Sequence, residues 1–169
     1  MQEMPVIVIC GTPGTGKSSI ADMFADYGFH VIHLSKFVIE RGLYRDYDKR
    51  REAYVVDEDK LLEELGRLLK EKKKVVIEGI GAEILPRDWV DLCIVLTCEP
   101  YILEKRLLER NFPLSKVEEN LEAERMGVIL GDALFNYGEA KIIVLDTTHR
   151  GPREVFKVIL DELRRREII

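Results

Sequence analysis

Residues 11–18 read Gly-Thr-Pro-Gly-Thr-Gly-Lys-Ser, the spacing G-x-x-x-x-G-K-[ST]. That spacing suits a phosphate chain. Glycines let the backbone curl so that successive N–H groups converge on one anion. Gly14, Thr15, Gly16, Lys17, Ser18 and Ser19 are therefore the candidate nucleotide-binding residues. Lys17 is placed to reach the β- and γ-phosphates of ATP, and the Ser18 hydroxyl to ligand Mg²⁺. The start of the helix that follows adds partial positive charge.

Phosphoryl transfer asks little covalent chemistry of a protein. It asks for alignment, neutralised charge and exclusion of water. A metal-side carboxylate and cations that can approach the phosphates are therefore expected. Glu78 ends an apolar run, Val75-Val76-Ile77, where a carboxylate could hold Mg²⁺ or its waters; the alternative is an ordinary strand-end acid. Arg106 and Arg110 are four apart and share a helix face just before Asn111-Phe112-Pro113 breaks the helix. They could close over the transferring group, or lie on a solvated face paired with Glu104 and Glu109. Lys36, Arg41, Arg45, Lys49, Arg50 and Arg51 form a basic stretch in which one or two could hold an acceptor phosphate. The three histidines, His30, His33 and His149, have no metal-site spacing, and His33 reads as a packed residue of a short strand.

Positioning these groups requires strands that end where the chemistry is. Residues 5–10 are an apolar run before the glycine-rich loop, and residues 17–25 have helical spacing. A second strand is expected over 28–34, with Ser35 capping a short helix over 36–41 that Gly42 ends. Residues 43–54 have no clean period and read as a mobile excursion from the core. Asp57 caps a helix to Lys70 with a leucine stripe. Strands follow at 74–78, 90–96 and 141–145, helices at 100–110, 115–135 and 152–166, and a loop at 79–88. Strands apolar along their whole length are covered on both faces. The expectation is an α/β three-layer fold with a five-stranded parallel sheet and right-handed crossovers. Ligands of such sheets sit beyond the strand C-termini. Leu34, Ser35, Glu78, Thr97, Asp146 and Thr147 fall there, beside the glycine-rich loop.

Length and composition bound the rest. The chain has 169 residues, 46% hydrophobic and 34% charged, with net charge −5. That suits one domain with a sizeable core. An acidic chain with interleaved charges argues against a bulk grip on nucleic acid. Three cysteines without a C-x-x-C spacing read as reduced thiols. With no leader-like start and no apolar run near 20 residues, a soluble, cytoplasmic protein that binds neither membrane nor specific nucleic-acid sequence is expected.

Several blocks together resemble the nucleoside monophosphate kinases, and among them the adenylate kinase isoenzyme 6 family, with its yeast and archaeal ribosome-assembly relatives. They are residues 11–18; Tyr47-Asp48 with Val55-Val-Asp-Glu-Asp-Lys-Leu-Leu62; Ala82-Glu-Ile-Leu-Pro86 with Trp89-Val-Asp91; Arg106-Leu107 with Arg110; and Lys116-Val-Glu-Glu-Asn-Leu-Glu-Ala-Glu124. The resemblance implies a single P-loop kinase domain over 1–169 with sheet order 2-3-1-4-5. It implies a monophosphate-binding region at about 34–56, where Leu34, Ser35 and Arg41 would meet the acceptor, and a short lid at about 109–119. Arg110 matches the family's lid arginine that contacts ATP, Arg106 its neighbour, and the 146–151 loop would border the adenine. The implied activities are ATP:AMP phosphoryl transfer and ATP hydrolysis. The implied cellular role is small ribosomal subunit maturation, with a basic-tailed small-subunit ribosomal protein as partner. One departure bears on hydrolysis. The family's third strand commonly ends acid-x-His, whereas this chain reads Glu78-Gly79-Ile80.

The leading expectation is a Mg²⁺-dependent adenylate kinase-like phosphotransferase, with Lys17, Glu78, Arg106 and Arg110 as catalytic residues and Ser18 and Glu78 on the metal. The competing ones are a nucleotide-switched assembly factor with little kinase turnover, and a kinase for another small acceptor such as CMP.

Overall fold

The apolar run ahead of the glycine-rich loop is strand β1, Val6–Gly11, in a computed structural model that describes residues 5–169. Its side chains alternate between two cores. Ile7 and Ile9 join Val76, Ile94, Phe24 and Phe156 on one face. Val8 and Cys10 join Ile77, Val95, Leu65 and Tyr137 on the other. The strand is apolar throughout because both faces are covered, each buried branched side chain contributing about 1.5–3 kcal/mol.

Helix α1, Lys17–Met23, runs into a 3₁₀ turn, Phe24–Tyr27, and then β2, His30–His33. Helix α2 spans Leu34–Glu40 with His33 as its N-cap residue, so Ser35 lies inside the helix and does not cap it. Residues 43–54, expected as an irregular excursion, instead form an antiparallel hairpin of β3, Tyr44–Asp48, and β4, Ala53–Val56. Its periodicity is hard to see because both faces are largely exposed and a register irregularity between Tyr44 and Asp46 breaks the alternation. Tyr54 packs between Tyr44 and Tyr47, with ring centroids 4.4 and 5.0 Å away.

Asp57 does cap α3, Glu58–Glu71, its side chain accepting from the Lys60 N–H at 3.2 Å. Strand β5, Val75–Glu78, is followed by the expected loop, which carries two 3₁₀ turns, Ala82–Ile84 and Arg87–Trp89. Then come β6, Leu92–Thr97, and α4, Pro100–Glu109. The long helix expected over 115–135 is two, α5, Leu114–Met126, and α6, Val128–Tyr137. Gly127 separates them at φ 63°, a left-handed conformation that costs glycine no Cβ clash. Strand β7, Ile142–Asp146, and α7, Pro152–Arg165, complete the chain.

The parallel sheet has the order β2-β5-β1-β6-β7. With the hairpin strands set aside, this is the 2-3-1-4-5 order that the resemblance implied. Residues of α2, α3 and α6 cover one face and residues of α1 and α7 the other, the three-layer arrangement that parallel strands require. A smaller apolar cluster, Leu103, Leu107, Val117 and Leu121, ties α4 to α5. Among the described residues, no helix is long and apolar enough to cross a membrane.

Candidate active site

The glycine-rich loop turns directly out of β1. Gly14 and Gly16 have φ of 92° and 100°, values that side chains resist. Gly14 is further constrained, since a Cβ there would lie 2.9 Å from Leu103 Cδ1 and 3.2 Å from Leu107 Cδ2. Thr15 closes the turn, its N–H and its hydroxyl both donating to the Thr12 carbonyl. No side chain caps α1, and Gly16, Lys17, Ser18 and Ser19 line the cleft beside it. The first-turn N–H groups are thus available to an anion. Lys17 folds back over the loop, its Nζ donating to the Gly11 carbonyl at 2.8 Å and the Thr12 carbonyl at 3.3 Å. Burial pushes the Lys17 ammonium below its ordinary value, against the pull of Glu78.

Glu78 ends β5 beside Ile9 on one side and His33 on the other. The residue is 4% exposed, and its Oε1 accepts from the Ser18 hydroxyl at 3.2 Å. Gly79 lets the chain leave the sheet here at φ 133°, where a Cβ would press on Leu34 Cβ at 3.2 Å. Ser18 and Glu78 are hard oxygen donors from two elements at one end of the cleft. Among the described residues, no group of three or more His, Cys, Asp or Glu is arranged to hold a metal by itself. Two protein oxygens with the remaining ligands drawn from nucleotide phosphates and water suit Mg²⁺.

His33 is not a packed core residue. Its Nδ1 lies 2.7 Å from Glu78 Oε1 and its Nε2 lies 2.8 Å from Asp22 Oδ1. Both ring nitrogens face carboxylate oxygens, so both donate only as imidazolium. Burial opposes that charge, but the hydrogen bonds to Glu78 and Asp22 outweigh it and raise the His33 pKa. The sequence hid this contact because it depends on which strands are neighbours. Only the pairing of β2 with β5 sets His33 opposite Glu78.

The two arginines have different environments. Arg106 is engaged with backbone: Nη1 donates to the Gly14 carbonyl and the Thr147 hydroxyl, each at 3.2 Å. Its Nη2 donates to the Thr147 carbonyl at 2.6 Å. The same Thr147 hydroxyl has the carbonyls of Thr15 and Thr97 at 3.1 and 3.0 Å as acceptors for its one proton. Arg106 therefore fastens the loop after β7 to the glycine-rich loop and does not hang over the cleft. Arg110 lines the cleft, with its guanidinium 5.4 Å from the centroid of Phe112. Asn111 turns the chain there at φ 60°.

Leu34 and Ser35 line the far half of the cleft. Arg41 does not: it stacks on Phe37 and pairs with Glu64 at 3.2 Å. The cleft measures about 1290 Å³. Besides the glycine-rich loop, its lining is largely apolar and aromatic, with Val38, Ile39, Ile80, Ile84, Tyr47 and Tyr54, and includes the polar side chains of Ser35, Glu52 and Glu58. The hairpin tyrosines and the exposed isoleucines, Ile39, Ile80 and Ile84, carry no motif. Their role became visible only when three separate segments met at one wall.

Comparison with known proteins gives the family. Residues 7–127 match the AAA domain family. The chain is 37% identical over 156 residues to a putative adenylate kinase of Sulfurisphaera tokodaii, spanning 92% of this chain and 80% of that protein. It is 37% identical over 137 residues to the adenylate kinase isoenzyme 6 homolog of Caenorhabditis elegans, spanning 80% of this chain and 75% of that one. In fold it matches the shikimate kinase of Acinetobacter baumannii in complex with shikimate, with a TM-score of 0.67 at 17% identity, covering 99% of this chain and 97% of that one. A gluconokinase from Sinorhizobium meliloti matches with a TM-score of 0.60 at 18% identity, covering 98% and 94%. With its P-loop kinase sheet order and its loop-and-carboxylate site, the chain belongs to the family of adenylate kinase isoenzyme 6 homologs and archaeal putative adenylate kinases, and is a phosphotransferase.

Proposed function

We propose that the protein transfers the γ-phosphoryl group of ATP to AMP, giving two ADP, with Mg²⁺ as cofactor. One observation carries this reading beyond a generic P-loop kinase: the acceptor wall. A sugar or hydroxy-acid acceptor needs many polar partners, because each buried hydroxyl left unpaired costs about 1–3 kcal/mol. Here the cleft lining outside the glycine-rich loop is mostly apolar and aromatic, with Val38, Ile39, Ile80, Ile84 and two tyrosines, and Ser35, Glu52 and Glu58 are among its few polar members. That surface suits the faces of a planar base. It favours a nucleoside monophosphate over the polyol-like acceptors of the structural neighbours, and AMP is the acceptor that the relatives' names point to.

In this reading the loop N–H groups and Lys17 hold the β- and γ-phosphates. Lys17 would leave the Gly11 and Thr12 carbonyls for the phosphate oxygens. Ser18 and Glu78 would hold Mg²⁺, which would supply positive charge to offset that of the transferring phosphates. Arg110 comes over the transferring group from the end of α4 and, with the apolar wall, excludes water. Arg106 keeps the adenine-side loop and the glycine-rich loop in register. The test is a coupled assay of ADP formation over a panel of AMP, CMP, GMP, UMP, shikimate and gluconate. AMP should give the largest increase over ATP alone. No increase with any monophosphate would remove the kinase assignment to this acceptor class.

A further inference from the structure

Three hydrogen bonds join four side chains behind the metal-side carboxylate, and the backbone of α1 closes them into a ring. Ser18 and Asp22 are four residues apart on α1 and share one face. Glu78 and His33 are register partners on the adjacent strands β5 and β2. Ser18 reaches Glu78 at 3.2 Å, and Asp22 reaches His33 at 2.8 Å. His33 completes the ring with its 2.7 Å contact to Glu78. Both bonds to Glu78 fall on Oε1. Glu78 itself lines the cleft, so its second oxygen is the one left for the cleft side.

We infer that His33 is a positioning residue for the metal site: its Nδ1 contact fixes the rotamer of Glu78 and so sets the affinity of the protein–nucleotide complex for a divalent cation. The inference rests on the reading that Ser18 and Glu78 hold Mg²⁺. A glutamate has three rotatable side-chain bonds, and one at a strand end without a second partner would lose that freedom on binding metal. Here the freedom is already lost in the folded protein. The cost falls on folding, through a ring whose other members come from α1 and β2, and metal binding is spared it. Hydrogen-bond partners of metal ligands typically govern affinity by about 10–100-fold.

The ring also links two sides of the cleft. Residue 34, immediately after His33, begins α2, which carries Val38 and Ile39 of the acceptor wall. The residue that contacts the metal-side carboxylate is thus also the N-cap residue of a helix that lines the cleft.

The test uses the full chain with ADP and Mn²⁺, an oxygen-ligand substitute for Mg²⁺ whose free form is counted by electron paramagnetic resonance. His33→Ala removes both ring contacts. His33→Asn keeps an amide N–H where Nδ1 was and loses only the reach to Asp22. Glu78→Gln tests the underlying metal site. Mn²⁺ affinity of the ADP complex should fall about tenfold in His33→Ala and recover to within threefold of the parent in His33→Asn. ADP binding in excess EDTA, followed by calorimetry, should stay within twofold in both. A His33→Ala protein that binds Mn²⁺ within twofold of the parent overturns the inference. So does one that loses metal-free ADP binding to the same extent, and so does failure of His33→Asn to recover affinity. If Glu78→Gln also leaves Mn²⁺ affinity within twofold, the metal-site reading fails as well; a large loss in Glu78→Gln alone leaves that reading standing and removes only the role of His33.

Discussion

Arg106 Nη2 lies 2.6 Å from the carbonyl oxygen of Thr147, across 41 residues of sequence, and the same guanidinium reaches the carbonyl of Gly14 at 3.2 Å. One planar group thus spans the glycine-rich loop and the loop after β7. A lysine at this position keeps the charge but has a single nitrogen, without the planar fork whose Nη1 and Nη2 reach the two loops. Arg106→Lys should raise the KM for ATP several-fold and lower the thermal midpoint, because hydrogen bonds to charged groups contribute about 1.5–3 kcal/mol. Its kcat should change far less. Arg110→Ala should do the reverse, lowering kcat by about 100-fold or more with a smaller change in KM, as expected for a cation that acts on developing charge. Steady-state kinetics of the two variants decides. A kcat loss in Arg106→Lys equal to that in Arg110→Ala would return Arg106 to the transferring phosphate.

Leu107 is fully buried, and with Leu103 it lies against the bare Cα of Gly14. The small α4–α5 cluster is therefore the floor of the phosphate loop. Leu107→Ala should destabilise the protein by about 2–5 kcal/mol, the range for a buried leucine that leaves a cavity. It should also weaken ATP binding, because the loop loses the surface on which Gly14 rests. Denaturant unfolding and nucleotide titration of the same sample test both halves. The full stability loss with unchanged ATP affinity would show that the loop holds its shape without this floor.

The sequence carried the sheet well because its strands are buried on both faces. Val75-Val76-Ile77 and Leu92 to Leu96 can be little else, and the glycine-rich loop fixes which strand is central. Elements with one exposed side were harder. The hairpin of Tyr44–Asp48 and Ala53–Val56 alternates poorly, and Gly127 divides a helix that periodicity alone runs through. The site divided in the same way. Lys17, Ser18 and Glu78 announce themselves by motif or by strand end. His33, Asp22, Thr147 and the wall of Ile39, Ile84, Tyr47 and Tyr54 depend on register and on loops meeting in space. Arg41 shows the converse: a cation in a suggestive stretch that the fold turns outward to Glu64.

Helix α7 carries a charge cluster whose effect on stability has a definite sign. Hydrogen bonds from Arg165 and then Arg166 hold the Glu162 carboxyl at about 2, against an ordinary value of 4.5. A carboxyl whose pKa is depressed on folding stabilises the fold above its unfolded value and loses that contribution as pH falls towards its folded value. The stability difference between the parent and Glu162→Gln should therefore be constant from pH 7 to about 5, shrink below 4.5, and vanish near pH 2. Urea unfolding across that range, at low salt so that screening does not mask the pair, measures it. A difference that persists unchanged at pH 3 would assign it to packing and not to charge.

Ile80 is 58% exposed and lines the cleft two residues beyond Glu78. An aliphatic side chain there neither accepts a proton nor orients a water, and it adds to the apolar surface that keeps water from the γ-phosphate. In the proposed kinase reading, both features favour transfer to an acceptor over transfer to water. Ile80→His should raise ATP hydrolysis measured without AMP, since an imidazole at this place can hold and deprotonate a water near the phosphates. It should lower the ratio of AMP phosphorylation to hydrolysis even if total turnover rises. Adding Lys17→Ala to the same variant should abolish the gained hydrolysis, because the new base has no use without a held triphosphate. Phosphate release assays on the single and double variants separate the cases. Hydrolysis unchanged in Ile80→His would mean that the position does not set water access, whereas hydrolysis that survives loss of Lys17 would place the new activity outside the P-loop site.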